Sequence, residues 1–253
     1  MKRSGYWART CRISASFTLT TGRRLSEENR PLRSLISSDA QPRNEPHRPA
    51  ATLRLLLPGG LLRTLSLDVV PLDIRLRTRR CILGSVEHSD LEHVWTATRY
   101  PGFNDGMLWD APATREEMAG WTERNLERWV EGMACTLTAR RLETGTFVGR
   151  VMVRPLDTPD TCRIGFWIHP DLWNQGYATE IAHGALSFAF EELHAETVAV
   201  AHALWNKASA RVIDKVGFTF AHDIPEGYMK RGQWIPEREY VTTRTQWKSG
   251  PNT

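Results

Sequence analysis

The chain has 253 residues, 41% of them apolar, which suffices for a packed core in one large domain or two small ones. Its formal charge of +4 is uneven: residues 1–60 carry 11 Lys and Arg against 4 Asp and Glu, and residues 61–253 carry 22 against 25. The main body is therefore slightly acidic, which removes the support for a basic nucleic-acid-binding surface, and no apolar run reaches the roughly 18 residues of a membrane span.

The first 26 residues hold six Lys/Arg, eight Ser/Thr and no acid. That is the composition of an organelle transit peptide, and equally of an upstream arm with no address. Pro31, Pro42, Pro46 and Pro49 among polar neighbours extend the disordered character, so residues 1–70 read as a basic, poorly ordered leader. Val69 to Ile74 marks the approach to a folded domain over 71–250. Cys11, Cys81, Cys135 and Cys162 form no close pair and no ligand spacing with histidine. Disulfide and zinc frameworks are both poor readings, and a reducing, cytoplasmic setting is the default, with organelle import if the leader is an address.

The first strand is expected over 77–86, followed by helical spacing in Leu91, Val94, Trp95 and Thr98. Tyr100 to Gly106 is a loop by its Pro and Gly content. Thr114-Arg115-Glu116-Glu117 fits a capping box and predicts a helix to about Glu131. Strands follow over 133–142 and 147–155, separated by the turn Glu143-Thr144-Gly145. Another covers 162–168 and stops at Pro170. Asn174-Gln175-Gly176 is turn chemistry, and Ala178, Ile181, Ala182, Ala185 and Ala189 recur at helical spacing over 177–193. A strand over 197–204, a short helix over 207–216 and a strand over 218–222 come next. Residues around Pro225, Gly227 and Gly232 read as a loop, and 240–247 closes the sheet. Strands mixed with helices in this order predict one α/β (α+β) domain with a mixed sheet.

A Gly-containing turn that opens a helix beside a strand end leaves several N–H groups pointing out together at the positive end of the dipole. Gly176 and Ala178 fit the fourth and sixth positions of the pattern Gln/Arg-x-x-Gly-x-Gly/Ala, with Trp173 where Gln or Arg is usual. Further on, Asn206-Lys207-Ala208-Ser209 is followed by Val212-Ile213-Asp214-Lys215-Val216-Gly217-Phe218. Together these resemble the two signatures of the GNAT family of N-acetyltransferases, with Asp214 in place of the usual Glu. Trp-x-x-Gly-Tyr-Ala-Thr-Glu resembles in particular the ribosomal-protein alanine/serine (RimJ/RimL-like) branch. The resemblance covers roughly residues 75–247.

The resemblance implies a single GNAT-like domain, its mostly antiparallel mixed sheet flanked by helices, that binds acetyl-CoA and needs no metal. It implies acetyl transfer by direct attack of a primary amine. The acceptor expected is a protein N-terminal amine. Small amines such as aminoglycosides or polyamines are the alternative, and a non-catalytic acyl-CoA sensor or an RNA-docking arm are readings of other classes. No nucleic acid or membrane partner is expected, and the protein is a monomer or a homodimer.

Gln175, Gly176, Tyr177, Ala178 and Thr179 are expected to cradle the pyrophosphate, and the backbone at Trp167 and Ile168 to pair with the pantetheine arm. Asn206 and Ser209 sit at the spacing of a helix N-cap and its third residue, and as the family's Asn-x-x-Ser they also belong to the coenzyme site. Ser209 is the first candidate to protonate the leaving thiolate, Tyr228 the second and Tyr240 the third. Glu226 is the candidate base, against a solvated loop carboxylate. His202 and His169 read more simply as a satisfied core residue and a strand end. The resemblance implies that Asp105 and Asp110 fall in the loop region lining the amine entrance, where they can draw in a cationic acceptor, although isolated surface acids rarely do anything so specific.

Overall fold

The computed structural model describes residues 70–249 and the backbone of two short strands, β1 (Leu53–Leu56) and β2 (Leu62–Leu65), which pair antiparallel. The leader's composition had not announced this strand pair. The transit-peptide reading and Cys11 lie outside the described residues.

The main sheet is ordered β3 (Leu76–Arg77), β4 (Cys81–Ser85), β5 (Cys135–Arg141), β6 (Phe147–Pro155), β7 (Thr161–Ile168), β8 (Thr197–Ala203), β10 (Gln233–Thr243) and β9 (Thr219–Lys230). Neighbours run antiparallel except β7 and β8, which are parallel. A parallel pair needs a crossover, and helix α3 (Tyr177–Ser187) supplies it. Successive side chains of a strand point to opposite faces of the sheet, as β7 shows. Cys162, Ile164 and Ile168 are buried in the main apolar core, where Phe166 also packs, whereas Arg163, Gly165 and Trp167 belong to the other face.

On the apolar face α3 packs beside α4 (Lys207–Val216), and Gly184 comes so close to Leu83 that a methyl group there would overlap it. α3 continues as a π-helical turn over Phe188–Glu192, which lets Phe188, Ala189 and Phe190 all be buried in succession. The polar face carries α1 (Asp90–Thr98) and α2 (Trp121–Val130). Asp90 of α1 is buried there and accepts from Thr138 at 2.6 Å, Arg140 at 2.5 Å and Arg150 at 3.3 Å. Asn125 of α2 accepts from Thr136 at 2.8 Å.

Three expectations are corrected. The capping-box sequence makes only a 3-10 turn, Glu116–Met118, because Gly120 takes a left-handed φ of 72° and restarts the chain as α2 at Trp121. The segment read as a loop around Pro225 and Gly227 is a long hairpin. Its strands β9 and β10 turn at Arg231 and Gly232, both at positive φ, with register shifts near Pro236 and between Glu239 and Tyr240. The bulges absorb the proline that argued against a strand. The last strand ends at Thr243, and Arg244–Ser249 is a short helix, α5, whose Trp247 lies 5.2 Å from the ring of Phe190.

Candidate functional site

Pairing between β7 and β8 stops at Ile164 and Val200, although β7 runs on to Ile168 and β8 to Ala203. The two strands splay, and the β8-facing edge of β7 from Gly165 onward has no strand partner there. A cleft of about 610 Å³ opens at the splay, lined by Gly165, Phe166 and Trp167 on one side and by Ala201, Ala203, Asn206 and Ser209 on the other. Trp173 donates its indole N–H to the Ile168 carbonyl at 2.9 Å, fixing the end of β7. The residue that replaces the usual Gln or Arg therefore acts as a latch on that strand. It also takes up the Ile168 carbonyl, leaving the stretch from Gly165 to Trp167 as the open edge.

Just beyond the latch, Gly176 holds the N-cap of α3 at φ 79°. The helix begins abruptly there, so the N–H groups of Tyr177, Ala178 and Thr179 have no carbonyl four residues back to pair with. The turn is braced by Arg80 and Glu180. Glu180 accepts from Thr78 at 2.7 Å, from the Arg80 backbone at 2.5 Å and from Arg80 Nε at 2.7 Å, while Arg80 Nη1 donates to the Gln175 carbonyl at 3.1 Å. Burial opposes the Glu180 charge, but these hydrogen bonds outweigh it and hold its carboxyl below the usual range. Arg80 also lies 4.0 Å over the Tyr177 ring. Glu180 closes the Trp-x-x-Gly-Tyr-Ala-Thr-Glu motif, but neither its bracing role nor Arg80 stood out in the sequence, because their meeting spans 100 residues.

Asn206 caps α4: its Oδ1 accepts from the Ser209 N–H at 3.1 Å. Ser209 thus contributes only its backbone to the cap, and its hydroxyl, with no hydrogen bond to another described residue, lines the cleft. Tyr228 lines the cleft too. Burial raises its pKa, with a further push from Glu237, so it stays a proton donor. Glu226 does not. It lies on β9 rather than in a loop, and its neighbours Gly227 and Tyr228 face the cleft while Glu226 is exposed.

The carboxylate that does line the cleft is Glu237 of β10, buried at 8% exposure. Gly227 makes room for it, since a Cβ there would meet Glu237 Cγ at 2.5 Å. Burial pushes its carboxyl above the usual range, and the charge of Arg163 offsets only part of that. The signal that could have found it was Gly227 itself, a strand glycine at a close approach.

Of the remaining candidates, Tyr240 packs against the apolar core and does not line the cleft, whereas His202 does line it; their rings stack at 5.6 Å, and His202 Nδ1 bonds the Ala203 carbonyl at 2.8 Å. His169 ends β7 with Nε2 3.1 Å from Thr96, and burial lowers its pKa. Asp110 pairs with Arg231 at 3.2 Å, and neither Asp105 nor Asp110 lines the cleft. The loop between the two does line it, through Met107, Leu108 and Trp109. Lys230 holds that loop by donating to the carbonyls of Asn104 and Met107.

Burial pushes the thiols of Cys81, Cys135 and Cys162 up to about 11, 12 and 11, which makes them poor nucleophiles. Among the described residues, no three His, Cys, Asp or Glu gather as a metal site, and no helix is long and apolar enough to cross a membrane.

The model of the acetyltransferase (GNAT) domain matches residues 80–219. An Aspergillus fumigatus FsC-acetyl coenzyme A-N(2)-transacetylase is 33% identical over 186 residues, 68% of this chain and 77% of the relative. Among solved structures, Mycobacterium smegmatis RimJ in complex with CoA-disulfide is similar with a TM-score of 0.58 at 16% identity, covering 68% of this chain and 87% of that one. A Vibrio cholerae spermidine N-acetyltransferase in complex with CoA and spermine has a TM-score of 0.58 at 13% identity, covering 67% of this chain and 98% of that one.

Proposed function

The chain belongs to the GNAT acetyltransferase family and is an acetyl-CoA-dependent N-acetyltransferase, and on that premise we propose that its acceptor is a protein N-terminal amine. The observation that carries the site assignment is the splay of β7 from β8. It presents an unpaired strand edge between the Gly176 helix start and the Ser209 hydroxyl.

In this reading the first-turn N–H groups of α3 hold the pyrophosphate, since unsatisfied donors and the positive helix end both favour an anion. Arg80 steadies that turn through Glu180 and the Gln175 carbonyl. The open backbone from Gly165 to Trp167 takes the pantetheine amides as a strand would, and its N–H groups can also donate to the acetyl oxygen. Asn206 fixes the start of α4 next to the sulfur's path.

In the reaction the amine nitrogen bonds the acetyl carbon as the carbon–sulfur bond breaks, the amine gives up one proton and the leaving thiolate takes one. Ser209 is the donor to sulfur, with Tyr228 second. Glu237 takes over the base role first assigned to Glu226, because it is the carboxylate in the cleft and burial raises its pKa above the ordinary carboxylate range, which strengthens it as a base. The branch resemblance supports an N-terminal acceptor. A polyamine or another small amine is the second reading, and the names of the two similar acetyltransferases keep it in view.

The test is thiol release from acetyl-CoA with a panel of peptides beginning in Ala or Ser, polyamines and aminoglycosides. Turnover at least tenfold faster on the peptides is expected, and polyamine turnover exceeding theirs would replace the acceptor. Coenzyme binding with no turnover on any amine would leave a sensor.

A further inference from the structure

The charged side chains that line the cleft are Arg124, Arg128, Arg150, Arg154, Arg163 and Glu237, five cations against one acid. Two of the arginines are neutralised from behind: Arg150 by Asp90 at 3.3 Å, and Arg163 by Glu239. Arg124 donates to the Ala119 carbonyl. The guanidinium groups of Arg128 and Arg154 form no hydrogen bond or ion pair with another described residue. Arg154 and Arg163 are direct cross-strand partners, an arrangement of like charges that costs stability. The charge of Arg154 makes that of Arg163 harder to keep, after the larger effect of burial. The Nε–H groups of Arg150 and Arg163 are sealed from solvent and lack an acceptor, so burial there is costly. The guanidinium groups of Arg128 and Arg154, which line the cleft, are what a bound anion would satisfy.

The aromatic wall points the same way. Trp109 and Trp121 meet edge to face at 5.6 Å, and Trp167 closes the inner end of the cleft with Phe103 5.3 Å away. These rings give apolar contact to a chain whose charges reach the guanidinium groups beyond. The arginines come from three elements, β7, β6 and α2, so the positive lining is a surface rather than a single anion hole.

Building on the N-terminal reading, we propose that this cleft selects an amine carried on an acidic segment, the N-terminus of a peptide with Asp or Glu among its next few residues. Glu237 sits at the splayed end, opposite Ala203, where the amine must arrive, and the arginines line the way out. A polycation meets the wrong sign along most of that path. The expectation that Asp105 and Asp110 draw in a cationic acceptor is thereby reversed.

Three peptides of equal length that begin with Ser test this, followed by Asp/Glu, by Asn/Gln or by Lys, alongside spermidine and free glutamate. Thiol release gives kcat/KM, and calorimetry on the CoA-loaded protein gives affinity whether or not turnover occurs. The acidic peptide should exceed the lysine peptide at least tenfold in both, and the gap should narrow as salt is raised. Arg154→Glu should shrink or reverse that order. Equal constants across the three peptides would overturn the proposal while leaving N-terminal acetylation in place, and a preference for lysine or spermidine would overturn both. Acid-first binding without turnover would support the cleft assignment and sink the N-terminal reaction instead. Free glutamate outdoing the acidic peptide would remove the peptide as occupant.

Discussion

At the scale of single residues, Ser209 and Asn206 divide two jobs that the sequence left joined. Asn206 supplies the cap, so Asn206→Ala should cost about 1 kcal/mol of stability. Ser209→Ala leaves that cap bond intact. It should lower kcat tenfold or more with nearly unchanged melting temperature and coenzyme affinity, whereas a wild-type kcat would pass the donor role to Tyr228. Glu237 makes a second forecast through its raised pKa. A base must be ionised, so kcat/KM should fall as pH drops through a value above the ordinary carboxylate range, and Glu237→Gln should abolish that limb. Stability moves the other way. The unfolded chain ionises this group more readily, so Glu237 disfavours the fold increasingly as pH rises from the carboxylate range through its folded pKa. Glu237→Gln should therefore hold or raise the melting temperature at pH 7, and a marked fall would mean that the charge is structural.

At the scale of elements, the α3 start depends on a glycine that no β-branched residue can replace at φ 79°. Gly176→Val should weaken coenzyme binding far more than a change of the Gln175 side chain, and unchanged affinity in a folded Gly176→Val protein would remove the cradle. Glu180 braces the same turn. Glu180→Ala strips three bonds from a nearly buried carboxylate and should cost about 2 kcal/mol at neutral pH. Because its folded pKa is depressed, that stabilisation is present above the unfolded carboxylate pKa and is lost as pH falls through the lower folded value. Thermal melts of both chains across that window check it. What was legible here came from local chemistry: the turn at Asn174 to Gly176, the helical spacing after it, and Asn206 three residues before Ser209. What was hidden depended on long-range pairing. Arg80 finds Glu180 only because β4 lies under α3. Glu237 was unreadable as a site residue while residues 223–239 looked like a loop, since a loop has no faces to assign.

At the scale of the whole molecule, one face of the sheet is apolar and belongs to α3 and α4, while the other collects the charged side chains of β6, β7 and β10. The splay of β7 and β8 joins the two, so the coenzyme and the acceptor can approach one point from different sides. The composition of residues 1 to about 60 suggests that they add nothing to this arrangement. Val70 accepts from the Trp129 indole at 2.8 Å, so the folded body needs at least that residue. A chain beginning a few residues before Val70 should keep its turnover and melt within a few degrees of the full chain. The most direct measurement of the central claim is acetyl-CoA-dependent acetylation of the acidic Ser-initiated peptide, followed by thiol release and by mass spectrometry of the peptide. The expected result is one acetyl group on the α-amine, at a rate that Ser209→Ala and Glu237→Gln each reduce at least tenfold. Transfer to a lysine side chain instead, or turnover indifferent to both substitutions, would contradict it.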